Sequence, residues 1–349
     1  MRTRGLPSSA QRGLTIVEFM IAIALGFIII AAMLTIFANS SRARQEMQKA
    51  TQQKESGRFA SQLIADNVAM AGFLGEFDPT AMTLPAALPD PCATDQTDLI
   101  DALPLHVQGV DDATSASAPS CISDLKSGTD ILVIRRAGEC AVNGIAGANG
   151  APGCESYNAA RYYFQASLCN DASELALLPN ANAGYASSHF ALAKEASSLT
   201  RRRMECVAGQ WAPVRRYHTH IYFVANNNEP GDGIPTLKRW ELGVGIVSLV
   251  DGIENLQVEY GVDTNGDGAP DAWTPAPADI IAWRNVMAAR VHVLARNTQP
   301  TGGYIDDRSY TLGRDADGDP KNIGPFNDAY KRHVYVTTTR MTNPSWRRQ

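Results

Sequence analysis

From Leu14 to Ala38 the chain stays apolar, with Glu18 as its only charge. A helix of about 20 apolar residues crosses a bilayer, so this run spans one with some tilt. Asn39 to Gly57 is then polar on every side and contains no proline, which suits a solvated helical stalk. An apolar stripe returns at helical spacing with Phe59, Ala60, Leu63, Ile64, Val68 and Ala71, and this half of the helix is expected to pack on a head. The pattern predicts one helix from about Thr15 to Ala71, roughly 85 Å long at 1.5 Å per residue, stopped by Gly72 and Gly75.

Beyond the helix, Pro79, Pro85, Pro89, Pro91 and Pro104 interrupt any regular period, and Asp111 to Ser120 reads as an Ala/Ser-rich loop. Strand-like runs then alternate with turn clusters: Ile131 to Arg135, Arg161 to Gln165, His218 to Ala225, Leu237 to Leu242, Leu256 to Val262, Val286 to Ala295 and His333 to Met341. One long helix followed by several antiparallel strands predicts an α+β chain. Gly144, Gly147, Gly150 and Gly153 recur every third residue, but without a proline-rich context they make a loop, not collagen.

Composition narrows the compartment and the partners. The net charge of −5 argues against nucleic acid held by bulk electrostatics, and Arg201-Arg202-Arg203 and Arg215-Arg216 read as solvated faces. Cys92, Cys121, Cys140, Cys154, Cys169 and Cys206 all follow the apolar run, and none forms a CxxC pair. They suit disulfides in an oxidising compartment such as the periplasm. Six cysteines allow 15 connectivities; the expectation is that sequence neighbours pair, Cys92 with Cys121, Cys140 with Cys154 and Cys169 with Cys206.

One loop has the spacing of a cation site. Asp263, Asn265, Asp267 and Asp271 place oxygen side chains at positions 1, 3, 5 and 9 of an EF-hand-like loop, with the Ala269 carbonyl at 7 and Gly268 at the sharp turn. Thr274 holds the twelfth position, where a bidentate glutamate belongs, so calcium is the candidate cofactor and weak affinity is expected; the alternative is a hairpin loop rich in turn residues. Asp315, Asp317 and Asp319 around Gly318 read as a turn. His218 and His220 share one face of a strand as two metal ligands would, but no third ligand lies nearby in sequence, and they read as a half-exposed pair. There is no GxSxG, HExxH, P-loop or GxGxxG after a strand, so no catalytic residues are assigned and a non-enzymatic role is expected.

A charge near the start of a membrane-length helix costs roughly 2.5–3.5 kcal/mol on insertion scales, so Glu18 is expected to have a partner. An ordinary secretory signal has an apolar core of about 7–15 residues; Phe19 to Ala38 is longer, although Ala38-Asn39-Ser40 is a passable cleavage site. A plain anchor explains the length but not Glu18. Arg2, Arg4 and Arg12 precede the run and Arg42, Arg44 and Lys49 follow it, so charge alone sets no orientation.

Arg12-Gly13-Leu14-Thr15-Ile16-Val17-Glu18 resembles the type IV prepilin signal. The resemblance implies that a prepilin peptidase cuts between Gly13 and Leu14 and methylates the new terminus, and that Glu18 neutralises a neighbouring subunit's terminal amine. Leu14 stands where phenylalanine is commoner in that family. Val250 to Asp263, Trp283 to Arg296 and the closing run His333 to Arg340 resemble the PilW-type minor pilins. This second resemblance implies an α+β, type IV pilin-like fold: a cleaved leader 1–13, a membrane and filament-core helix 14–38, its periplasmic half 39–75, and a β-rich head 76–349. It also implies an inner-membrane protein with a periplasmic head that primes the pilus and sits near its tip. Its partners would be other minor pilins, the major pilin and a tip adhesin, with twitching motility and adhesion as outputs. The alternatives are a minor pseudopilin of type II secretion and a membrane-anchored, calcium-dependent adhesin.

Overall fold

The structure is a computed structural model that describes residues 13, 15–171 and 189–348. The chain divides into two compact units, Met1–Thr51 and Gln52–Gln349. Helix α1, Ile16–Ala69, contributes to both and ends close to the expected boundary. Gly72 and Gly75 adopt left-handed φ angles of 71° and 61°, and the Gly72 amide donates to Arg135 O (2.9 Å), so the chain leaves the helix by a turn open to glycine.

Within the second unit, α1 buries Gln53, Gly57, Ala60, Ser61, Ile64, Ala65 and Val68 at spacings of three and four. Phe59, expected on this stripe, is 57% exposed instead. Gly57 takes part because of its size: a Cβ there would overlap the ring of Tyr335. Gln53 satisfies two strand-end carbonyls, donating from Nε2 to Ala295 O (2.9 Å) and Lys331 O (2.8 Å).

Strands β1 (Val107–Ala113), β2 (Thr129–Ala141), β3 (Tyr163–Ala166), β4 (Phe190–Ala193), β5 (Arg215–Ala225), β6 (Thr236–Glu241) and β7 (Gly245–Asp251) form one antiparallel sheet. β5 is its hub: β2 lies on one edge, while β3 pairs its first residues and β6 its last. A second sheet has the order β13-β10-β8-β9, from β8 (Ile253–Val262), β9 (Ala272–Thr274), β10 (Val286–Arg296) and β13 (Arg332–Arg340). β11 (Tyr310–Arg314) and β12 (Pro320–Ile323) make a separate hairpin, closed by the turn expected at Asp315 to Asp319. The α+β architecture with a long apolar first helix is therefore present. Strand β1 runs through Asp111 and Asp112, past a register irregularity, where the sequence read as loop.

The first sheet buries both faces. On one, Ile64 and Val68 of α1 join Leu132, Ile134, Tyr222 and Val224, together with Leu256, Val258, Val291 and Val293 of the second sheet. On the other, Ile131, Val133, Ile221 and Phe223 pack under Leu99, Leu103 and Phe77. Apolar runs in β2 and β5 that do not alternate reflect this double burial. β8 buries polar residues as well, since Gly313 of the β11–β12 hairpin lies against Glu259 and His292. There the Glu259 carboxylate accepts from His292 Nε2 (2.9 Å) and Arg290 (3.2 Å).

Candidate functional sites

The residues from Ile16 to Phe37 form an apolar helical surface that no other part of the described chain covers: Ile16 is 80% exposed, Phe27 68% and Phe37 74%. This stretch is long and apolar enough to cross a membrane. A surface this large and apolar all round requires lipid or neighbouring helices.

Glu18 has a partner within its own chain. Its Oε2 accepts from the Thr15 amide and the Thr15 hydroxyl, both at 2.9 Å, while Thr15 Oγ1 accepts from the Glu18 amide at 3.3 Å. This reciprocal arrangement is a capping box, which satisfies donors that the first helical turn leaves open. Threonine three residues before a glutamate at the head of an apolar run signals it, a local cue that the sequence reading missed. Gly13 is exposed just before the cap. Leu14, the other residue expected at the processing site, lies outside the described residues.

The Asp263 loop is organised around its own amides. Asp263 is fully buried, accepting at Oδ1 from Gly266 N (2.6 Å) and Asn265 N (3.2 Å), and at Oδ2 from Gly268 N (2.9 Å) and Arg348 Nη1 (3.1 Å). Burial would raise its pKa, but those two glycine amides and the Arg348 guanidinium hold it below the usual range. Asp271 Oδ2 accepts from Thr264 N (2.8 Å), and Asp267 Oδ1 accepts from Ala269 N (2.8 Å). The Asn265 side-chain amide reaches both Asp267 Oδ2 (3.3 Å) and Asp271 Oδ1 (3.1 Å). The five expected positions thus share one tight loop. A Cβ at Gly268 would overlap Ser345 O, so the loop seats against the chain's last helical turn.

Disulfides join Cys92 to Cys121, Cys140 to Cys154 and Cys169 to Cys206, and no described cysteine is free.

The histidine pair is placed differently from its reading as half-exposed with no third ligand. His220 is 3% exposed, and Glu241 of β6, opposite His220 in register, points a carboxylate at both rings. Burial lowers the pKa of His218, and brings that of His220 to about 4. Glu241 itself lies between the guanidinium groups of Arg216 and Arg239, each donating to one of its oxygens, and they favour its ionised form. In a second carboxylate cluster, Asp111, Asp112 and Asp130, Lys321 Nζ lies 3.1 Å from Asp111 and 2.7 Å from Asp112, while Asp130 accepts from the Asp112 and Val258 amides.

No curated protein and no solved structure matches the chain. Residues 221–343 match the family model PilW, Type IV pilus-assembly protein W. The matched stretch runs from the middle of β5 through β13 and contains both the second sheet and the Asp263 loop. Over residues 221–343 the chain is therefore similar to a family of type IV pilus assembly, and its first helix is long and apolar enough to cross a membrane.

Proposed function

We propose that this chain is a non-enzymatic minor pilin that helps prime the type IV pilus and sits near its tip, supporting twitching motility and adhesion. The supporting observation is the uncovered apolar helix beginning at the Thr15–Glu18 cap. In this reading prepilin peptidase cuts between Gly13 and Leu14, the inner membrane holds the subunit with its head in the periplasm, and other minor pilins and the major pilin later replace lipid around the helix. Both capping bonds use Oε2 of Glu18, so Oε1 is the atom assigned to a neighbouring subunit's terminal amine. The Thr15 amide survives the cut, so the cap persists in the mature protein.

Mass spectrometry of the mature protein is the test. The expected result is an N-methylated Leu14 terminus in the parent and an uncut precursor in Gly13→Val. Normal maturation of that variant would overturn the assignment. Loss of surface pili on deletion supports a pilus role; loss of exoenzyme secretion alone would move the protein to a type II secretion system.

Calcium is proposed for the Asp263 loop, where Asp263, Asn265, Asp267, Asp271 and the Ala269 carbonyl supply hard oxygen ligands. At calcium about 10-fold above Kd the gain is roughly 1.4 kcal/mol, enough for a shift of a few degrees. Millimolar calcium should raise the melting temperature more than magnesium does, and Asp267→Ala should remove the difference. Identical curves in calcium and in chelator would leave the loop as a turn held by its own amides and Arg348.

A further inference from the structure

His218 and His220 project from the same face of β5, their ring centroids 5.0 Å apart, and Glu241 completes a triangle whose three ligand atoms lie within 4.8 Å of one another. His218 Nδ1 is 3.5 Å from Glu241 Oε1, and His220 Nε2 is 3.8 Å from Oε2. Neither nitrogen has a hydrogen-bond partner among the described residues, although both are buried.

Helix α1 fixes which of the His220 nitrogens carries the proton. Asn67 donates its Nδ2 to Leu63 O (3.1 Å), which turns its Oδ1 toward His220 Nδ1 at 3.1 Å. An amide oxygen only accepts, so Nδ1 bears the ring hydrogen and Nε2 presents a bare lone pair to the carboxylate. Two lone pairs facing each other in a buried site repel unless a positive centre lies between them. Orientation of a ligating histidine through its other nitrogen is also the usual outer-shell arrangement at metal sites.

We propose that His218 Nδ1, His220 Nε2 and Glu241 bind a borderline divalent cation of the zinc type, with Asn67 as the positioning residue for His220. Two imidazoles and a carboxylate suit such an ion, with a fourth position left to water. Bonds of about 2.0–2.2 Å place tetrahedral ligand atoms roughly 3.3–3.5 Å apart, so the two histidine–carboxylate approaches, at 3.5 and 3.8 Å, already stand close to bonding separations. Arg216 and Arg239 each donate to a different oxygen of Glu241. Each of those oxygens keeps a second lone pair for the ion. The two guanidinium groups weaken cation binding electrostatically and set its affinity below that of a closed structural site. The ion would cross-link β5 to β6 beneath the end of α1.

The untagged full chain in detergent, stripped with chelator and dialysed against zinc, is the sample to test. Elemental analysis should find one zinc per chain, and cobalt(II) should give the intense visible bands of a tetrahedral site. His218→Gln and Glu241→Gln should weaken zinc at least 100-fold and abolish those bands. Asn67→Ala, which leaves the ligands in place, should weaken zinc about 10-fold, and His333→Gln, at an exposed histidine, should change nothing. His218 has the more exposed of the two rings, so its variant keeps the test informative if others fold poorly. Zinc well below one per chain in the parent, or undiminished zinc in His218→Gln, would overturn the proposal.

Discussion

His106 is 5% exposed, and its Nε2 carries a proton that it donates to Val286 O at 2.7 Å. Burial, outweighing that hydrogen bond, lowers its pKa from 6.5 to about 4. Above pH 6.5 neither folded nor unfolded chain protonates the ring; between 6.5 and 4 only the unfolded chain does. Stability therefore falls as pH drops through that window, by about 3 kcal/mol in the limit. His106→Gln keeps a donor for Val286 and removes the titration, so its stability should decline less than the parent's between pH 7 and 4. Parallel pH slopes in denaturant titrations of the two proteins would refute this. His220 titrates in the same window in both proteins and cancels. At this scale the sequence was legible where a residue was out of place: Glu18 stood out as the one charge in an apolar run. Its Thr15 partner was equally local, but an intermolecular role for the carboxylate masked it. The burial of His106 comes from a chain crossing, since a Cβ on Gly72 would press against its side chain, and no local pattern carries that.

Elements with their own apolar period were legible, and elements that borrow burial from neighbours were not. The limits of α1 followed from the apolar run and from Gly72 and Gly75, and β2, β5, β6, β8, β10 and β13 from β-branched and aromatic runs. β1 escaped because Asp111 and Asp112, paired to Lys321, resemble loop residues. β11 and β12 are short, with largely polar outward positions, and only their docking over Glu259 and His292 gives them a role. The third member of the histidine cluster was hidden for the same reason. Glu241 comes opposite His220 only through the β5–β6 register, which a one-residue slip would reverse. On the helix, Gly57 and Gln53 replace Phe59 as packing residues. Their value lies in the Tyr335 ring and in two strand-end carbonyls, both supplied from far along the chain.

In the whole molecule, all three disulfides lie between Cys92 and Cys206, ahead of the stretch that matches PilW. The staples thus secure the part built on β1 to β4, while the second sheet holds by packing and by ion pairs. Arg332, whose side chain is fully buried, binds Glu254, Asp306 (2.9 Å) and Asp328 (2.6 Å) there. Each bridge typically contributes 2–4 kcal/mol. In a chain beginning at Gln52, reduction should lower the melting temperature and speed amide exchange in β1 to β4 before β8 and β10. Several alkylatable thiols in the unreduced, folded protein would contradict the pairing. The last strand and the helical turn after it, Thr342–Trp346, also have a consequence in time. Asn343 donates to Ala71 O across 272 positions and Arg347 to Phe77 O across 270, while Tyr335 fills the notch at Gly57. At about 5–20 residues per second of synthesis, the packing stripe of α1 waits some tens of seconds for its cover. Throughout that interval the stripe lacks the side chains that cover it, and this part of the core closes only once Tyr335, Asn343 and Arg347 have been made.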